Sequence, residues 1–202
     1  MAQENSIALS PLQLAKVKEA AMDQAYLFCK LLGRLGSSDT RKDTRDILET
    51  ELGEMFAGGS KIDVRTKKGT EWVDFEEQVK PYLKRINDKA EDKKYGHSLM
   101  QLDYISIDKI IRDTIIQVDG KEQHALYAVF RFYQHLVVTK NNTVETSNRE
   151  VIVTETNKPK TITDNTYKHG IVYVIRQKKF GQPPLKALLG DITVDKVQID
   201  IK

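Results

Sequence analysis

The segment YAVFRFYQHLVVT, residues 127–139, puts phenol hydroxyls, a guanidinium and an imidazole on one side of a strand. Successive strand side chains point to opposite faces. Tyr127, Arg131, Tyr133 and His135 therefore share one face with Val129 and Val137. Ala128, Phe130, Phe132, Gln134, Leu136 and Val138 share the other. An antiparallel strand usually has one apolar face and one wet face, so a face that mixes rings with an arginine and a histidine is a candidate to line a pocket, contact a partner or meet solvent. The even-numbered face is the more continuous apolar set and is expected to pack on the core. Gln134 is its one polar member. It needs a hydrogen-bond partner there and is a candidate to point into a pocket. The Tyr127–Arg131–Tyr133–His135 face is then the outer, convex or dimer-facing surface. Tyr173, in the later strand-like stretch TYKHGIVYVIRQKKF, is the remaining pocket or interface candidate.

Other chemistries find little footing. His97, His124, His135 and His169 are scattered, with no pair at ligand spacing, and His135 shares its face with Arg131, whose charge would oppose a metal. No metal and no cofactor is expected. The single cysteine, Cys29, rules out an intramolecular disulfide and sits in AYLFCKLL, where it reads as a small buried hydrophobe. GRLGSSDT and FAGGSK contain glycines but match neither nucleotide fingerprint. No serine sits in a nucleophile elbow. NNT at 141–143 fits a glycosylation acceptor but reads as a turn. Arg176, Lys178 and Lys179 gather at a strand end, either as a docking patch or as a lysine-rich edge that deters strand pairing. The net charge is only +3, and basic and acidic residues balance over residues 1–100. This is far from the concentrated positive face of a nucleic-acid binder. No apolar run approaches the roughly 18–20 residues of a membrane helix.

The elements that must position these residues divide the chain by period. Ser10-Pro11 with Gln13 forms a capping-box start, with proline where helices tolerate it. Leu14, Val17, Ala21, Phe28, Leu31 and Leu35 then follow a helical period, predicting a helix over about 11–35. A second helix is expected over about 41–57, with Ile47, Leu48, Leu52, Met55 and Phe56 inward and Gly58-Gly59 as its stop. SKIDVRT suits a short strand through Ile62 and Val64. A third helix is expected to start at Asp74 as cap, with Glu76 and Glu77 in its first turn, Lys84 and Arg85 in its last, and Phe75, Val79, Leu83 and Ile86 on one face. Pro81 would then kink or break it. Residues 87–98 read as a polar connector.

Period two follows. HSLMQLDYISIDKIIRD is a first strand through Leu102, Tyr104, Ile110 and Ile111, with apolar residues on both faces. The 127–139 strand comes next, then a turn at KNNT, a strand-like VETSNREVIVTETNK, a loop at KPKTITDN, a strand through Tyr173 and a closing strand from Leu185. In that last strand Ile192 and Val194 share one face and Val197, Ile199 and Ile201 the other, a phase change that predicts a β-bulge near Asp195-Lys196. The expected class is α+β: a curved antiparallel sheet wrapped around N-terminal helices. Residues 1–9 read as a tail and 10–202 as one domain, helical over about 10–90 and strand-rich over about 99–202, because the helices alone would expose their apolar faces.

The element order, carried by AKVKEAAMDQAYLFCKLLGRLG as the long helix, ILETELGEMFAGGSKIDV as a helix-to-strand unit and LLGDITVDKVQID as the closing strand, resembles the nuclear transport factor 2-like superfamily, a cystatin-like α+β cone. The resemblance covers most of residues 10–200 and lies in element order rather than in a motif. It implies a curved sheet around the long first helix, with a pocket at the open end of the cone. Members include steroid isomerases, dehydratases, transport adaptors and many non-catalytic pocket proteins, so function must come from the site. The steroid-isomerase type uses a carboxylate base and an oxyanion hole. Tyr127, Tyr133, His135 and Tyr173 match only its residue types. The expected function is therefore a non-catalytic small-molecule or protein-binding domain. The alternative is an isomerase or dehydratase with Tyr133 and His135 as polar pocket groups beside a carboxylate. The expected partners are an unidentified ligand or protein, with a homodimer through the open sheet face as one arrangement, no nucleic acid and no membrane span. The opening AQEN resembles the residues left after signal-peptidase cleavage in bacterial exported proteins, notably of Bacteroidetes, and suggests a periplasmic or cell-surface protein, with a cytoplasmic start as the alternative.

Overall fold

The computed structural model describes residues 9–68, 71–91, 95–140, 160–177 and 184–201. Helix α1 (Pro11–Leu35) starts on the expected capping box: Ser10 Oγ accepts from the Gln13 amide at 3.3 Å, and Gln13 Oε1 accepts from the Ser10 amide at 3.0 Å. Val17, Ala21, Ala25, Phe28, Leu32 and Leu35 recur every third or fourth residue and are buried. Leu14 and Leu31, expected on this stripe, sit at its margins, Leu14 at 36% exposure. Helix α2 (Lys42–Glu54) buries Leu48 and Leu52, while Ile47 faces outward. Its unexpected inward residue is Arg45, whose Nε donates to Asn87 Oδ1 at 3.0 Å and whose guanidinium also donates to the Thr40 carbonyl.

Next come β1 (Lys61–Lys68) and β2 (Glu71–Gln78), paired antiparallel along their whole length. The expected third helix therefore begins later: α3 spans Val79–Glu91. Asp74 is not its cap, Glu76 and Glu77 lie in β2, and Phe75 is a 40%-exposed strand residue. Pro81 falls in the first turn, where the missing N–H would have no intrahelical partner anyway, so the expected kink has no cause. The last turn carries Lys89 rather than Lys84 and Arg85. Of the supposed connector 87–98, residues 87–91 end this helix and 95–98 start a strand, and 92–94 lie outside the described residues. Asn87 is buried, and its Nδ2 donates to Asp46 Oδ1 and Glu49 Oε2 at 3.0 and 2.9 Å, tying α3 to α2.

Four long strands follow: β3 (Tyr95–Val118), β4 (Lys121–Lys140), β5 (Lys160–Arg176) and β6 (Leu185–Ile201). The expected loop at 158–165 is mostly the start of β5. The turn at 141–143 and the strand-like 144–158 lie outside the described residues. Among the described residues six strands form one curved sheet in the order β2-β1-β6-β5-β4-β3, antiparallel except between β1 and β6. The fold is thus α+β, as expected. The 24 residues of β3 run against the 20 of β4, and the register shifts at four places. Each shift leaves an extra residue in β3 and reverses which face the next side chain meets. This is why the sequence of that strand carries apolar residues on both faces. Asp119 and Gly120, both at positive φ, close the β3–β4 hairpin. The predicted bulge in β6 is present: Tyr167 pairs with Lys196 and Lys168 with Val194, leaving Asp195 extra.

The core lies between α1 and the concave face. Phe28 of α1 meets Phe56, Phe130 and Phe132 edge-on, with ring centroids 5.7, 6.4 and 6.0 Å away. Ala128, Phe130, Phe132 and Gln134 are all buried, so the even-numbered face of β4 does pack on the helices. Gly170, paired with Phe130, leaves room for that ring: a Cβ there would lie 2.5 Å from Phe130 Cε1.

Candidate functional site

The sheet presents two surfaces with chemical content. The first is the mouth of the concave side, beside the N-terminal turns of α1. Here a cavity of about 600 Å³ opens between the helix and β3–β6. Its apolar wall includes Leu9, Val17, Leu126, Val174 and Leu185. Lys16, Asp113, His124 and Arg176 add charged or titratable groups, and Gln13 and Gln123 add amides. The placement follows from register. Leu126 lies opposite Val174 and Asp113 in the neighbouring strands, and Arg176 opposite Leu185. Volume and lining fit the usual form of a small-molecule site, mostly apolar with a few polar groups.

None of Gln134, Tyr127, Arg131, Tyr133, His135 and Tyr173 lines this cavity. Gln134 does face inward, but further along β4, between Leu102 of β3 and Thr166 of β5. It is 5% exposed, and its Oε1 is buried without a hydrogen-bond partner among the described residues. Thr166 does not supply one, because its Oγ1 donates to Asp164 Oδ1 at 2.7 Å. Nearby on the same strand, Lys168 is buried, with its ammonium 5.5 Å from the centroid of the Tyr82 ring.

The other candidates occupy the second surface, the convex face. Tyr133 and His135 converge on one amide: the tyrosine hydroxyl donates to Asn165 Oδ1 at 2.6 Å, and His135 Nδ1 lies 2.6 Å from the same oxygen. The rings of Tyr104 and Tyr167 flank Tyr133, at centroid distances of 6.3 and 4.8 Å. Tyr104 is 84% exposed and has φ +54°, a left-handed backbone that a non-glycine residue adopts at a cost. It sits at one of the β3 register shifts. Partial burial of the Tyr133 phenol, then the neighbouring phenols of Tyr167 and Tyr104, hold its pKa above the ordinary tyrosine value. Arg131 stands on the same face, opposite His169, and His169 Nδ1 lies 2.7 Å from Asp195 Oδ1 at the β6 bulge. Tyr127 and Tyr173 form a cross-strand pair nearer the mouth end. Tyr173 has a packing role: its ring lies where a Cβ on Gly190 would come within 2.6 Å. It borders a small convex cluster of Ala57, Ile116, Val118, Ala125, Ile175 and Leu188. The sequence candidates are thus divided between two faces: Gln134 points inward, while on the convex face Tyr133 and His135 share the Asn165 amide and Tyr127 pairs with Tyr173 across the strands.

Cys29 is buried, and that burial pushes its thiol up to about 12, so it stays a neutral core side chain. Among the described residues no group of three or more His, Cys, Asp or Glu could hold a metal ion, and no helix is long and apolar enough to cross a membrane. The mouth residues escaped sequence reasoning because they come from α1, β3, β4, β5 and the start of β6. In the sequence Arg176 stands in a basic strand end and His124 among scattered histidines, with nothing to link them. No protein-family model matches this chain, and no curated protein matches it either.

Proposed function

We propose that the chain is a non-catalytic binding module of the nuclear transport factor 2-like type, whose open cone mouth takes a small, largely apolar molecule. The observation that carries this reading is the cavity of about 600 Å³ between α1 and the concave sheet. The sheet order and the seating of α1 across the concave face support the superfamily reading. The enzymatic alternative needs a carboxylate beside Tyr133 or His135 in a pocket. Both side chains instead meet the amide of Asn165 on the convex face, which favours binding over catalysis. The test is Nile red fluorescence. The wild-type chain is expected to bind and brighten the dye. Leu185→Trp and Leu126→Trp, which fill the cavity from two partly buried positions, are expected to abolish the effect while retaining the wild-type circular dichroism spectrum. Unchanged dye binding in both folded variants refutes the cavity as the site.

The convex face favours a second, compatible reading, self-association through the open sheet. Tyr104 and Tyr167 are 84% and 51% exposed beside Tyr133, and the left-handed backbone of Tyr104 holds its ring outward. Exposed aromatic groups of this kind mark interaction surfaces. Light scattering over a dilution series is expected to show a dimer that Tyr104→Ser weakens. A strict monomer at every concentration removes this reading.

A further inference from the structure

The mouth cavity carries a charge pattern as well as an apolar wall. Lys16 enters its lining from the first turns of α1, and Arg176 from the last residue of β5. Both are exposed at the rim, and among the described residues neither is engaged in an ion pair. Among the described residues Asp113 is the one carboxylate in the lining, so the cations Lys16 and Arg176 outnumber it. The long stems of lysine and arginine lie readily along apolar surface while their charged ends stay in water. An apolar wall with cations at its rim is complementary to one class of small molecule, a hydrocarbon chain with a single anionic head. The planar guanidinium of arginine matches the two oxygens of a carboxylate, and lysine offers a second, mobile positive charge.

We propose that the cavity binds an amphiphilic monocarboxylate, with its chain against Val17, Leu126, Val174 and Leu185 and its carboxylate at Arg176 and Lys16. The proposal rests on the small-molecule reading of the cavity given above. A neutral amphiphile would bury the same chain without neutralising the two cations, and a cationic one would be repelled by them.

The experiment is calorimetric titration of the full chain with octanoate, decanoate, decanol and decyltrimethylammonium, each below its aggregation concentration. Two additional methylenes are expected to make decanoate bind about 15-fold more tightly than octanoate. The charged head is expected to favour decanoate over decanol by about tenfold. Decyltrimethylammonium is expected to bind most weakly of the three ten-carbon ligands. Arg176→Gln should erase the preference for decanoate over decanol and leave the chain-length effect. Lys18→Gln, an exposed position on α1 outside the cavity lining, should alter neither. Equal affinity for decanoate and decanol overturns the head-group assignment and leaves the cavity reading standing. So does tighter binding of the cation, or a preference unchanged in both Arg176→Gln and Lys16→Gln. Failure of all four amphiphiles and of Nile red to bind overturns the cavity reading and this inference with it. Binding that appears only when light scattering shows dissociation into monomers assigns the cavity to a second copy of the chain, and also overturns the proposal.

Discussion

Replacing Gln134 with methionine should stabilise the protein. Gln134 is 5% exposed on the inward face of β4, flanked along the strand by Phe132 and Leu136 and across it by Leu102 and Thr166. Its Oε1 has no hydrogen-bond partner among the described residues, and the hydroxyl of its cross-strand neighbour Thr166 donates to Asp164 instead. An unsatisfied buried acceptor costs about 1–3 kcal/mol relative to a paired one. Methionine keeps the unbranched chain and adapts to an irregular site, so the packing penalty should stay below about 1.5 kcal/mol. The net expectation is a gain of about 1 kcal/mol. At about 2–4 °C per kcal/mol for a chain of this size, the melting temperature should rise by roughly 2–4 °C. The urea midpoint should rise with an unchanged slope. Circular dichroism melts and urea titrations of the two proteins read both quantities. A loss of 1 kcal/mol or more would mean that the oxygen has a strong partner, such as a water bridging it to Thr166, and the reasoning would fail. Gln134→Glu provides the opposite sign. A carboxylate buried there is charged at neutral pH only against its desolvation, which raises its folded pKa. The variant should therefore be least stable at neutral pH, recover as pH falls through its raised folded pKa, and have recovered fully below the unfolded value of about 4.3.

Three further expectations follow from the packing and the charges. Gly170→Ala puts a Cβ 2.5 Å from Phe130 Cε1 and should destabilise by about 1–3 kcal/mol, with much of the loss recovered when Phe130 is changed to leucine in a double-mutant cycle. Asn87→Ala strips Arg45 Nε of its buried acceptor and should cost about 1–3 kcal/mol in urea unfolding. It also removes the hydrogen bond that most lowers the Asp46 pKa, so that pKa should rise in a carboxyl NMR titration. Desolvation, and then the carboxylates of Glu76, Asp191 and Asp74, raise the Asp63 pKa above its ordinary value. Asp63→Asn should therefore raise the melting temperature above the folded-state pKa, and the advantage should fade as pH falls through that pKa and vanish below about 3.8. An advantage that persists at pH 3 would show that charge is not the cause.

Features legible in the sequence were those set by one element's own period. The capping box at Ser10, the stripe from Val17 to Leu35, the inward face through Phe130 and Phe132, and the Asp195 bulge all follow from spacings within a few residues. The third helix misled because Phe75, Val79, Leu83 and Ile86 also fit a helical repeat. Val73 and Phe75 fit a strand equally well, and pairing of β2 with β1 decided between them. Pro81 was the available clue, since proline is at ease in a first turn and not in a helix interior. The Asp-Gly pair at 119–120 is likewise a hairpin-turn signal in the sequence. The mouth cavity could not be read, because its lining residues are brought together only by sheet register and the seating of α1.

The four extra residues in β3 also bear on how the protein behaves in a crowded solution. Among the described residues β3 forms one edge of the sheet, with the backbone groups of Ser98 already taken by Ser38, and a long edge strand offers its free amides and carbonyls as a template for another chain. Here the ladder is interrupted, and its longest unbroken stretches are His97–Asp103 and Arg112–Val118. An invading strand with an even backbone repeat would lose its hydrogen bonds at each irregularity, so growth of a continuous intermolecular sheet would stall after a few pairs. The irregularity that hid β3 from a pattern reading thus doubles as protection against aggregation.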